Sequence, residues 1–203
     1  MKTYDAAQIR NVLLVGHGGA GKTTLAEALQ LLGGNITRMG SVEDGNTVSD
    51  FEPEETKRQI SVSLSLLPIE WRDTKLNVLD APGYADFIGD VRAALRAVDA
   101  CLFVVSAVDG VEVQHEVVWE LAVEHGLPRG FFINKMDRER ASFQRTLDQL
   151  TESFGTQVAP LQFPLGEEHD FEGVADLLSR KAYRYPSGPK GEESEWPDDI
   201  AGK

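Results

Sequence analysis

Gly16-His17-Gly18-Gly19-Ala20-Gly21-Lys22-Thr23 follows an apolar run, Val12 to Val15, and precedes a helix-like stretch, Leu25 to Leu32. The spacing G-x-x-x-x-G-K-[ST] between a strand and a helix is the signature of a phosphate-binding loop. Its glycines let successive backbone N–H groups approach phosphate oxygens where a Cβ would intrude. The helix that follows adds its positive end and its unpaired N–H groups to the same anion. Lys22 supplies a point charge to the β- and γ-phosphates, and the Thr23 hydroxyl suits a Mg²⁺ position. Candidate nucleotide-binding residues here are Gly16, His17, Gly18, Gly19, Ala20, Gly21, Lys22, Thr23 and Thr24.

The base is addressed further along. Asn134-Lys135-Met136-Asp137 follows a second apolar run, Gly130 to Ile133. A carboxylate at Asp137 can accept from both N1–H and the exocyclic amine of guanine. Adenine offers an acceptor at N1 and no amine at C2, so the same carboxylate would go unpaired, at about 1–3 kcal/mol or more. Asn134 can bond the purine edge, and the Lys135 stem can lie over the base. The expected nucleotides are therefore GTP and GDP. A third motif, Asp80-Ala81-Pro82-Gly83, closes the apolar run Leu76 to Leu79. Asp80 is placed to hold Mg²⁺ through a water, and the Gly83 N–H to reach a γ-phosphate.

These motifs, in this order, resemble elongation factor G. So do Asp44-Gly45 and Asp50, the run from Asp80 through Tyr84 to Phe87, and the stretches Ala159 to His169 and Phe171 to Leu177. The cadence is closer to the paralogous, elongation factor G-like branch of translational GTPases. The resemblance implies Mg²⁺-dependent GTP hydrolysis on the ribosome, with Lys22, Gly83 and Tyr84 at the catalytic positions. It also implies that the later stretches begin an insert carried inside the nucleotide-binding domain. A GTP-loaded switch with little hydrolysis, and a ribosome-protection or release-type factor, remain open alternatives.

Departures from that family cluster around the hydrolytic water. Arg58-Gln59-Ile60-Ser61 stands where the family has Arg-Gly-Ile-Thr; Ser61 keeps the hydroxyl of a metal ligand, so the implied metal set is Thr23, Ser61 and Asp80. Tyr84 replaces the family histidine, and a phenol with a pKa of about 10 cannot become a cation near neutrality. Gly18 and Gly19 replace an aliphatic residue and an aspartate. The larger ring is expected to fill the space left at Gly18 and to slow hydrolysis without weakening binding.

Composition sets outer limits. A net charge of −13 over 203 residues argues against a broad grip on nucleic acid, and no DNA binding is expected. The lone Cys101 lies in an apolar run and is expected in the core, which suits a reducing, cytoplasmic setting. No apolar run approaches the ~18 residues of a membrane span.

Alternation of strand and helix signals predicts an α/β fold: a P-loop NTPase with a doubly wound, mostly parallel sheet and one antiparallel strand, plus the beginning of an inserted subdomain. Strands are expected at Ile9 to Val15, Ile60 to Glu70, Leu76 to Leu79, Cys101 to Val105 and Phe131 to Ile133. Helices are expected at Lys22 to Leu32, Phe87 to Val98, Val113 to His125 and Ser142 to Phe154. Gly33 to Arg58 reads as an irregular switch, His115 and His125 as solvated, and Glu192 to Asp199 as a solvated acidic loop. Residues 1–155 are assigned to the nucleotide-binding core and 156–203 to the start of the insert. The Ser-Ala loop and last strand expected of the family are not found after the insert, so the chain reads as an N-terminal fragment. Its open sheet edge beside Phe131 to Ile133 would then favour self-association.

Overall fold

The structure, a computed structural model, describes residues 2–186 and 191–197. Two compact units are formed, one from Met1–Val105 with Glu112–Phe132 and the other from Ser106–Val111 with Ile133–Lys203.

The first unit is built on a sheet in the order β2-β3-β1-β4-β5, with β1 at Ile9–Val15, β2 at Ser65–Trp71, β3 at Thr74–Asp80, β4 at Ala100–Ser106 and β5 at Arg129–Asn134. β1 runs parallel to β3 and β4, whereas β2 pairs antiparallel with β3 through the tight Arg72-Asp73 turn. Apolar residues occupy both faces of the central strand, as a sheet covered on both sides requires. Leu14 packs with Leu67, Ile69 and Val78 against Ala26 of α1 (Lys22–Leu32). Leu13 and Val15 pack on the other face with Phe103 and Cys101, beneath Val91 of α3 (Ile88–Ala94) and Val118 of α4 (Val113–Glu124). Cys101 is buried as expected, and burial pushes its thiol up to about 11.

The second unit holds α5 (Phe143–Phe154) and an antiparallel sheet of four short strands. These are β6 at Gln162–Leu165, β7 at Gly173–Asp176, β8 at Lys181–Arg184 and β9 at Glu192–Ser194. Leu165, Ala175 and Ala182 form its small core, with Trp196 packed on them. The acidic run is therefore not a free loop: Glu192 to Ser194 pair with β8, while Asp198 and Asp199 lie outside the described residues.

Two further expectations are corrected. Pro53–Arg58 forms a short helix, α2, inside the segment read as irregular. Pro53 opens it, Glu54 and Glu55 face its positive end, Lys57 and Arg58 its negative end, and Glu52 and Glu55 cap it reciprocally. β2 begins at Ser65, not Ile60, because the N–H groups of Val62 and Ser63 donate to the buried Glu55 carboxylate, at 2.9 and 3.0 Å, not to a neighbouring strand.

Phe103, fully buried, lies tilted against two rings, with centroids 5.5 Å from Trp119 and 5.6 Å from Phe131, and those two stack 5.3 Å apart. Phe103→Ala should lower the unfolding free energy by about 3–5 kcal/mol. Urea denaturation followed by tryptophan emission checks this, and a loss under about 1 kcal/mol would remove the cluster from the core.

Candidate functional site

The phosphate loop leaves β1 at Gly16 and enters α1 at Lys22, so the first residues of the helix carry the chemistry. Lys22 is almost wholly buried, and its Nζ donates to the carbonyls of Gly16 at 3.1 Å and His17 at 3.0 Å. Burial lowers its pKa, while Asp80 and Asp50 pull it back up. An ammonium held among neutral carbonyls in a loop of this shape is poised to receive an anion.

Thr23 sits one residue further along the helix, turned toward the end of β3. Its hydroxyl donates to Asp80 Oδ2 at 2.8 Å and lies 3.2 Å from the Ser61 hydroxyl. Thr23, Ser61 and Asp80, far apart in sequence, thus converge. Asp80 Oδ1 and Asp50 Oδ2 are both buried without a hydrogen-bond partner among the described residues, as is the Ser49 hydroxyl. Burial pushes the Asp80 carboxyl up to about 6, against the opposing effects of Lys22 and Thr23. Burial likewise raises Asp50, with Ser61 pulling it down. Hard oxygen donors with spare lone pairs are what Mg²⁺ requires, so the donor set fits that ion. Asp50 is a member of this cluster that motif reading did not place there; a lone acid between Ser49 and Phe51 is a weak signal by itself.

Gly83, after β3, reaches into the loop. A Cβ there would lie 2.4 Å from Lys22 Nζ and 2.7 Å from the Gly18 nitrogen, so no other residue fits without displacement. Tyr84 then lays the hydroxyl end of its ring against Gly18: a Cβ on Gly18 would meet Cζ at 2.7 Å and both Cε atoms at 3.0 Å. The ring occupies the room that a larger residue at 18 would need, as expected from the paired substitutions. Gly19 faces open space instead.

Two buried groups behind the loop were misread or overlooked. His115 is not solvated; it is 1% exposed, whereas His125 is exposed. The Glu112 N–H donates to His115 Nδ1 at 2.9 Å, which leaves the proton on Nε2 to donate to the Val104 carbonyl at 3.1 Å. That carbonyl also abuts the first loop glycine, since a Cβ on Gly16 would stand 2.3 Å from it. Glu27, on the buried face of α1, accepts from the N–H groups of Gly40 at 2.8 Å and Val48 at 2.5 Å and so ties down the segment between α1 and α2. The same helix also buries Lys22, Thr23 and Gln30, so no lone charge on an apolar stripe marks Glu27 in the sequence.

The second unit carries the residues expected from the sequence to read the base. Asn134 ends β5, and its carbonyl accepts from Ala107 N–H at 2.8 Å. Lys135 adopts a left-handed backbone with φ 61°, Met136 is buried, and Asp137 projects into solvent beside Arg138.

Fold and loop together define a P-loop nucleotide-binding domain. Residues 7–187 match the family described as the elongation factor Tu GTP binding domain. The chain is 36% identical over 201 residues to elongation factor G of Mycoplasma pneumoniae, which covers 98% of this chain and 29% of that protein. It is 41% identical over 182 residues to the elongation factor G-like protein of Mycobacterium tuberculosis, covering 90% and 25% respectively. A crystal structure from Thermus thermophilus matches with a TM-score of 0.90 and 40% identity, over 97% of this chain and 29% of that one. The chain belongs to the elongation factor Tu GTP-binding domain family. It spans between 25% and 29% of the length of these relatives.

Two measurements test the geometry. Burial, the largest influence, lowers the His115 pKa, while the backbone carbonyls of Val104 and Glu112, 3.1 and 3.2 Å from its ring nitrogens, oppose the shift. The unfolded chain then binds the extra proton first, so stability falls as pH drops from about 6.5 toward the folded value. His115→Gln should flatten that part of the stability–pH curve, measured by urea denaturation between pH 5 and 7; an unchanged slope would show His115 is not the titrating group. Separately, Gly18→Ala should weaken GDP binding when Tyr84 is present and do so much less in a Tyr84→Ala background. Calorimetric double-mutant cycles should give a coupling of about 1–3 kcal/mol, and additivity would mean the ring and loop do not press on each other.

Proposed function

We propose that this chain binds GTP and GDP with Mg²⁺ and hydrolyses GTP as the nucleotide-binding domain of an elongation factor G-like factor that works on the ribosome in the cytoplasm. The observation that carries the reading is the buried Lys22 beside the convergent Thr23, Ser61 and Asp80 oxygens. On this reading the loop from Gly16 to Gly21 cradles the phosphates and Lys22 neutralises the β- and γ-oxygens. Thr23, Ser61 and Asp80, with Asp50 alongside, would hold Mg²⁺, which would supply positive charge to offset that of the phosphates. Gly83 offers its N–H to the γ-phosphate, and water attacks in line to leave GDP and phosphate. Catalysis is then mainly positioning and fixed charge. Asn134, Lys135 and Asp137 read the guanine.

One observation favours a slower variant of this activity. Tyr84 lies against Gly18 at the place where the family's histidine is expected, and its phenol cannot carry the positive charge a protonated imidazole would. A GTP-loaded switch with little intrinsic turnover is the second reading. Residues 1–155 are taken as the nucleotide-binding core and 156–203 as part of an insert. β5, which ends the strand order of its sheet, is a route to self-association of this chain. No helix among the described residues is long and apolar enough to cross a membrane.

The base assignment decides the reading most directly. Asp137→Asn puts a donor amide opposite guanine's donors, so GDP affinity should fall by about tenfold or more while xanthosine diphosphate gains. Equal GDP binding by wild type and variant in a calorimetric titration would take Asp137 out of the base pocket.

A further inference from the structure

The loop after β5 is held from behind by residues some thirty positions downstream. Gly166 turns the chain sharply after β6: its φ is +80°, and a Cβ there would lie 1.9 Å from the Asp170 carbonyl oxygen. The turn aims the next two residues back at the loop. Glu168 N–H donates to the Met136 carbonyl at 2.8 Å, and Glu168 Oε1 accepts from Arg140 N–H at 2.7 Å. Glu167 Oε1 accepts from Phe143 N–H at 2.6 Å, at the first turn of α5. Phe171, just beyond, packs on the cluster of Met136 and Ala141.

Three hydrogen bonds therefore fasten the chain on either side of Asp137: at Met136 before it, and at Arg140 and Phe143 after it. Two are charge-assisted, and so stronger than neutral ones. The bracing meets a real demand, because Lys135, Arg140 and Glu168 all hold left-handed backbone conformations, φ 61°, 65° and 55°, that L-residues adopt only when their surroundings impose them. A carboxylate that discriminates bases by two directed hydrogen bonds loses its discrimination if its loop drifts by even a fraction of an ångström.

We propose that the 166–168 turn is a positioning clamp for the base-reading loop, so that guanine selectivity depends on Glu167 and Glu168 as well as on Asp137. This rests on the assignment of Asp137 to guanine. It adds that the segment leading out of β6 sets base selectivity without touching the base.

The test compares GDP with inosine diphosphate, which keeps the phosphates and N1–H but lacks the 2-amino group. Wild type should prefer GDP, and Glu167→Ala combined with Glu168→Ala should reduce that preference on the order of tenfold, with much less loss of inosine diphosphate binding. Glu167→Gln and Glu168→Gln keep an acceptor oxygen and should stay within about threefold of wild type. Should the double alanine variant not fold, Glu168→Gly removes one carboxylate while relieving the left-handed backbone, so reduced preference with unchanged melting temperature is expected of it. Equal weakening of both nucleotides, or an unchanged preference, would overturn the clamp. Asp137→Asn measured in parallel separates the two ideas. If it abolishes the preference and the glutamate variants do not, the clamp alone fails; if it leaves the preference intact, the guanine assignment fails and takes the clamp with it.

Discussion

An ammonium shut away from water needs partners wherever it points, and among the described residues Lys22 finds two backbone carbonyls within hydrogen-bond reach. Its remaining stabilisation comes from the nearby carboxylates of Asp80 and Asp50, which are themselves buried and lean toward protonation. Each group is costly to bury alone, and each is made tolerable by the others. That mutual dependence explains why the ends of β1 and β3 and the segment before β2 must close on one another. Gly83 lies so near Lys22 that a methyl group would separate the two loops.

The segment between α1 and β2 follows a similar logic on a smaller scale. Glu27 and Glu55 are both buried, and each commits its carboxylate oxygens to backbone N–H groups. In effect the side chains stand in for a neighbouring strand. A segment with few apolar residues gains defined structure from two charges, each satisfied by several donors. Such order depends on the surrounding fold, unlike order that comes from a local hydrophobic face.

The sequence was most legible where one kind of signal dominated. β1 and α1 have the bounds expected of them, because an apolar run, a glycine loop and a helical stripe follow one another without ambiguity. The motif residues Thr23, Ser61 and Asp80 are brought together, as are Gly83 and Tyr84 with the phosphate loop. Less could be read where local and tertiary demands compete. α2 is six residues long, too short for helical periodicity, and only its capping residues announce it. The strands β6 to β9 have three or four residues each, too few for alternation to stand out. His115 looked like one polar residue on a mixed helix; its burial follows from a carbonyl of β4 that no local pattern reveals. Glu167 and Glu168 carry no local sign of their contacts for the same reason, since their partners lie on a distant part of the chain.

The packing of Tyr84 on Gly18 also constrains the order in which this site could have changed over time. Between a histidine facing an aliphatic residue and a tyrosine facing glycine lie two single-step intermediates. One of them, tyrosine facing the larger residue, would force the ring and the loop into the same volume. The other, histidine facing glycine, merely leaves a gap, which costs less than an overlap that must displace the ring. Ancestry would then run through the loosened form in either direction, with position 18 losing its side chain first on the way to tyrosine and regaining it last on the way back.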